Sequence, residues 1–335
     1  MPIRWRLIRG SFLALLLTGA IAICGGCSMF AAHHACHHAG HLADAPAAIV
    51  PPIVRWTAGG RTFDVYTLDR EPGPAVLLLH EIPGLTPRCL ALAQTIASRG
   101  FKVYAPRLFG AKPAPGPEPM GLRGFLAVAH GIFSACFGGP FSCLSQHHTG
   151  RIVDQVCDLS ARIHALDKDR PMGVIGLCIS GSLALAVAAR PWIGAAVVSQ
   201  PALPLVALSQ KAQAAIPADA QIAALKARRV PVPILALRFS EDHLSPRPRM
   251  EALCDQLHPH IQVIEILSGD QSRQVCIPKA AHAVLTEELA PPEDPNHPTR
   301  QALQRVLDFF SQNLGDAKSQ PAPPPRQCDW TTLNR

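Results

Sequence analysis

Residues 173–186 read Gly-Val-Ile-Gly-Leu-Cys-Ile-Ser-Gly-Ser-Leu-Ala-Leu-Ala. An apolar strand ends at Gly176, a cysteine follows two residues later, and a helix of small residues begins. This is the strand–turn–helix of a nucleophile elbow, with Cys178 where the GxSxG pattern has serine. The turn is tight, so bulk two residues either side of the nucleophile would clash, and Gly176 and the small Ser180 suit those places. The helix start supplies backbone N–H groups and a positive dipole end, both suited to a thiolate and a developing oxyanion. No serine in the chain has glycine at both flanking positions. A buried structural cysteine is the plainer reading of Cys178, and the residues downstream bear on the choice.

Outward from the elbow, short apolar runs alternate with helical stretches. Strands are expected at 53–57, 62–67, 75–80, 101–105, 172–177, 194–199, 232–238 and 261–267. Helices are expected at 86–99, 151–166, 179–190, 209–228, 246–257 and 298–314. That alternation predicts an α/β fold, a mostly parallel central sheet with helices on both faces. An elbow in such a sheet takes its acid after a later strand and its histidine last. Here Ser240-Glu241-Asp242-His243 follows the 232–238 strand, and Ala280-Ala281-His282 follows the 261–267 strand. Asp242 would orient the imidazole of His282, and His282 would move the proton. Glu241 and His243 are the rival acid and base.

The chain at this point resembles the dienelactone hydrolase family of α/β-hydrolases, over about residues 60–312. The resemblance is carried by residues 77–110, with His80-Glu81-Ile82-Pro83-Gly84 matching the family's HEI-x-G, by the elbow, and by Asp242-His243 and His282. It implies an α/β-hydrolase fold and a Cys178–His282–Asp242 triad. It also implies a further carboxylate, Glu81, that helps ionise the cysteine when substrate arrives, and an oxyanion hole from the backbone N–H groups of Ile82 and Ile179. It implies no cofactor. In electrostatic terms a carboxylate beside the thiol disfavours the thiolate, so a neutral resting thiol is expected. Four positions depart from the family pattern. Ser180 replaces the usual glycine after the elbow, Ser240 stands where glycine often precedes the acid, and Arg107 replaces the aspartate of a P-D-L stretch. Thr286 stands four residues after the histidine, where dienelactone-specific members place an arginine for the substrate carboxylate. Arg107, Lys112 and Arg123 are the candidates to replace that cation. The expected reaction is hydrolysis of a small ester, lactone or thioester. An acyl transferase, or a silent or metal-binding surface protein on the same fold, are the alternatives.

The N-terminus speaks to location. Three arginines in residues 1–10 precede the apolar run 11–23 and Cys24-Gly-Gly-Cys27-Ser28. A charged region, a short apolar stretch and small residues before a cysteine describe an export signal of lipoprotein type, with Cys27 as the acylated residue. Domain limits are expected at 1–26 for the signal, 27–50 for a linker, 51–314 for the hydrolase with a lid at 111–150, and 315–335 for a disordered tail. The linker carries His33, His34, His37, His38 and His41, whose helical spacing is a weak candidate for metal binding. The product is expected to be exported and membrane-anchored through lipid. Eleven cysteines fit an oxidising compartment, although sequence leaves their pairing open.

Composition narrows the remaining classes. Charged residues are 16% against a usual share of about 25%, and hydrophobic residues are 48%. This excludes an acidic disordered chain and a coiled coil. The net charge of +7 falls to +4 beyond the leader, with no basic stripe, so nucleic acid is not an expected partner.

Overall fold

The computed structural model describes residues 52–68, 73–110, 112, 151–202, 219–315 and 328–335. The expected export signal with Cys27, the histidine tract, the expected 111–150 lid apart from Lys112, and Arg123 lie outside them.

The strands are β1 (Ile53–Ala58), β2 (Arg61–Leu68), β3 (Ala75–Leu79), β4 (Lys102–Pro106), β5 (Met172–Leu177), β6 (Ile193–Ser199), β7 (Ile234–Phe239), β8 (Ile261–Ile266) and β9 (Asp329–Leu333). They form one sheet in the order β1-β2-β4-β3-β5-β6-β7-β8-β9. β2 pairs antiparallel with both neighbours, and every pair from β4 to β9 is parallel. β5 and β7 are buried along their whole length, the mark of strands covered on both faces.

The helices are α1 (Pro87–Ser98), α2 (Arg151–His164), α3 (Gly181–Ala188), α4 (Asp219–Lys226), α5 (Arg247–Leu257) and α6 (Pro298–Leu314). Their starts follow local chemistry. Thr86 accepts a hydrogen bond from the Cys89 N–H at 3.2 Å and Pro87 opens α1, while His297 caps α6 ahead of Pro298. Both prolines sit where no intrahelical N–H is required. Alternation along the strands divides the core in two. Leu77, Leu79, Val174, Ala196, Val198 and Ala236 face α2, α3, α4 and α5. Val76, Leu78, Ile175, Leu177, Val197 and Leu237 face α1 and α6.

One expectation is overturned. The stretch 315–335 was expected to be a tail, yet residues 329–333 form β9, in register with β8 from Gln262↔Asp329 to Ile266↔Leu333. A disulfide joins Cys328 to Cys254 of α5. Arg247 lies over the Trp330 ring at 4.5 Å. Asn334 accepts from the Val275 N–H at 2.8 Å and donates to the Leu267 carbonyl at 2.8 Å. Short, half-exposed and preceded by prolines, Asp-Trp-Thr-Thr-Leu lacks the apolar run that marks a central strand. The partner β8 and the crosslink supply what local pattern does not.

Candidate active site

The carboxyl ends of β3, β5, β6 and β7, with the loop after β8, converge at one edge of the sheet, where open parallel sheets bind ligands. Cys178 leaves β5 with φ +52°, a left-handed conformation that costs an L-residue about 1–2 kcal/mol. The turn that follows allows nothing larger than hydrogen at Gly176, where a Cβ would lie 2.4 Å from the Ser180 carbonyl oxygen and 2.7 Å from the Ala184 Cβ. Ser180, the departure from glycine, has a use: its buried hydroxyl donates to the His80 carbonyl at 2.6 Å. This ties the end of β3 to the elbow. Among the described cysteines outside disulfides, Cys89 and Cys157 are buried and Cys178 is partly exposed.

His80 sets the path of the chain beneath the site. Its Nε2 accepts from the Leu108 N–H at 2.9 Å, so the proton sits on Nδ1, which donates to the Glu81 carbonyl at 2.9 Å. Burial pushes its pKa down to about 4. The folded state thus disfavours the charged ring, which an unfolded chain protonates below about pH 6.5. Stability from this residue is complete above that pH and lost as pH falls towards 4. The difference is about 3 kcal/mol. Urea unfolding of wild type is expected to weaken across this window, and more shallowly in His80→Asn. Parallel pH dependences would contradict this.

Asp242 and His282 are brought together. His282 Nδ1 donates to Asp242 Oδ2 at 2.7 Å. The other carboxylate oxygen, Oδ1, accepts from the N–H groups of Leu244 at 2.9 Å and Ser245 at 3.1 Å, which fixes the acceptor's direction. Burial opposes charge on the ring, but Asp242 and Cys178 outweigh it and raise the His282 pKa well above 6.5. The rivals point elsewhere: Glu241 pairs with Lys279 at 3.3 Å, and His243 is exposed. Ser240, the second departure, accepts from the Ser268 N–H at 3.0 Å and pins the acid loop to the strand end beside it.

Glu81 is brought to the same point. A carboxylate oxygen of Glu81, Cys178 Sγ and a ring nitrogen of His282 lie within 4.8 Å of one another. Gln200 Nε2 donates to Glu81 Oε2 at 3.1 Å, and the Thr286 hydroxyl donates to Oε1. Thr286 thus holds the site's own carboxylate. Arg107 donates to Asp64 at 2.9 Å and to the Gly110 carbonyl at 3.2 Å, and Lys112 lies 3.9 Å from Asp64. Both are therefore drawn towards β2. Ile82 and Ile179 take their places at the end of β3 and directly after Cys178.

Three residues escape a reading of sequence alone. Gln200, fully buried with φ +37°, is legible only as a polar residue closing an apolar strand. Arg238 is buried inside β7 and paired with Glu265; it donates to the Ser245 and Ser240 carbonyls, each at 3.0 Å, and so clamps the loop that carries Asp242. Arg249 donates to the carbonyls of Pro201 at 2.7 Å and Leu244 at 3.1 Å, bridging the Gln200 and Asp242 loops.

The sequence model of the dienelactone hydrolase family matches residues 63–314. The chain belongs to the dienelactone hydrolase family. It is accordingly an α/β-hydrolase, with β2 running against the other strands and the elbow after β5. Solved structures similar to this family member include a candidate dienelactone hydrolase from Klebsiella pneumoniae, at 18% identity and TM-score 0.47, with 78% of this chain and 98% of that chain covered. A cold-adapted esterase from an Arctic intertidal metagenomic library has 16% identity and TM-score 0.49, covering 78% and 93%. An Agrobacterium tumefaciens protein of unknown function, a candidate α/β-hydrolase, has 13% identity and TM-score 0.49, covering 81% and 100%. Among individually curated proteins, none matches the chain.

Proposed function

We propose that the protein hydrolyses small, uncharged carboxylic esters through a Cys178–His282–Asp242 triad, with no cofactor. The observation that carries the reading is the Asp242–His282 hydrogen bond at 2.7 Å, with the ring beside a partly exposed cysteine on a strained elbow. With the thiol proton resting on His282, Cys178 Sγ attacks the ester carbonyl carbon. The tetrahedral oxyanion is held by the N–H groups of Ile82 and Ile179. The carbon–oxygen bond to the leaving alcohol then breaks, His282 returns the proton to that oxygen, and a thioester remains on Cys178. Water, deprotonated by His282, attacks the thioester and releases the acid and the free thiol.

An uncharged substrate is supported by the engagement of the nearby donors. The Thr286 hydroxyl goes to Glu81, and Arg249 goes to two backbone carbonyls. A substrate carboxylate would have to compete with these partners. The expected result is turnover of p-nitrophenyl acetate in the presence of EDTA. No hydrolysis under those conditions would contradict the reading.

Glu81 adds a further expectation. A Glu81 oxygen lies within 4.8 Å of Cys178 Sγ, so the carboxylate places like charge where a thiolate forms. Glu81→Gln is expected to slow ester turnover at pH 7 by roughly tenfold and to speed alkylation of the free enzyme by iodoacetamide. Wild-type values for both would make Glu81 structural. Slowing of both would make it a simple base.

Export through the lipoprotein-type leader is the location we infer. The Cys254–Cys328 disulfide supports an oxidising compartment. Mass spectrometry of the mature N-terminus is expected to find diacylglycerol on Cys27, with Cys27→Ser released from the membrane fraction. An unlipidated terminus at another residue would contradict this.

A further inference from the structure

Cys178, His282 and Glu81 present a thiol sulfur, an imidazole nitrogen and a carboxylate oxygen within 4.8 Å of one another. These are the three donor types that bind zinc, with ideal bonds of about 2.3 Å to sulfur and 2.0–2.2 Å to nitrogen and oxygen. A tetrahedral ion with those bonds spaces its ligand atoms roughly 3.3–3.6 Å apart, so the gap left here is of the size that side-chain torsions close.

Two features go beyond proximity. His282 Nδ1 is held by Asp242 at 2.7 Å, and Nε2 is buried with no hydrogen bond of ordinary geometry. That is the carboxylate–histidine arrangement which orients an imidazole towards a metal. Glu81 has its own outer partners, Gln200 and Thr286, which donate to its two oxygens and fix its plane. Both non-sulfur ligands are therefore aimed and backed before any ion arrives.

We propose that the Cys178–His282–Glu81 cluster binds one zinc ion, which reversibly occupies the site in competition with substrate. The ion bonds to Cys178 Sγ, to Nε2 of His282 and to a Glu81 oxygen, and the protons carried by the thiol and by that ring nitrogen leave to solvent. A fourth position is left for water. The consequence for turnover rests on Cys178 being the nucleophile, whereas the binding does not.

The test uses the full chain with zinc chloride as the probe and Cys178 alkylation as a site-specific readout, followed on the Cys178 peptide by mass spectrometry. Zinc at ten times its dissociation constant is expected to slow iodoacetamide labelling of Cys178 by about tenfold, and EDTA is expected to restore it. Protection is expected to persist when the five linker histidines are changed to alanine, and to fall in Glu81→Gln and His282→Asn. Thr286→Val is expected to weaken zinc binding by roughly tenfold through the lost outer hydrogen bond. With cobalt(II) in place of zinc, a near-ultraviolet thiolate-to-metal band is expected in wild type and absent in Cys178→Ser. Unchanged labelling in saturating zinc would overturn the site. So would protection equal in wild type, Glu81→Gln and His282→Asn, which describes a lone thiol adduct. Ester turnover in EDTA is a separate outcome, so the zinc site and the hydrolase reading can fail independently.

Discussion

Cys178→Ala is expected to lower turnover of p-nitrophenyl acetate by roughly 10³-fold or more. In the proposed reaction the sulfur forms the bond to the acyl carbon, and the described residues place no second partly exposed thiol beside His282. The substitution leaves the elbow intact: alanine keeps the Cβ that the φ +52° backbone already accommodates, and Gly176 and Ser180 keep their contacts. A folded variant by urea denaturation with activity near wild type would leave Cys178 as a structural cysteine.

Asp242→Asn carries the next largest expected effect, a loss of roughly 10²–10⁴-fold in kcat/KM. The asparagine oxygen can still accept from the Leu244 and Ser245 N–H groups, so the loop keeps its shape. The amide nitrogen then faces His282 Nδ1 and donates to it. That forces the imidazole proton onto Nε2, the nitrogen that holds the thiol proton in the proposed reaction. Removing the Asp242 charge also takes away part of what raises the His282 pKa, so the histidine-dependent limb of the pH–rate profile is expected to move to lower pH. Glu241→Gln and His243→Ala, one facing Lys279 and the other solvent, are expected to leave the rate near wild type. Equal losses in those two variants would return the acid and base to open question.

Much of this site is legible in the sequence because its logic is local. The elbow needs small residues at fixed offsets from Cys178, and a buried parallel strand needs an uninterrupted apolar run, so β5 and β7 announce themselves. The order of nucleophile, acid and base follows from strand order. The unreadable parts depend on partners far along the chain. Gln200 is meaningful only once Glu81, 119 residues away, is beside it. Thr286 reads as the lack of an arginine until Glu81, 205 residues away, is seen to take its hydroxyl. Ser180 looks like a flaw in the turn until the His80 carbonyl appears above it. The strand at 329–333 fails for the same reason: an edge strand of mixed polarity is defined by β8 and Cys254, neither of which its own residues encode.

During turnover an acyl group is expected to reside on Cys178. The direct measurement is rapid acid quench of the full-length protein during turnover of p-nitrophenyl acetate, followed by peptide mass spectrometry. One acetyl group is expected on the Cys178 peptide, and none on that peptide in Cys178→Ala. Turnover with Cys178 unmodified and an acetyl group on another residue would contradict it.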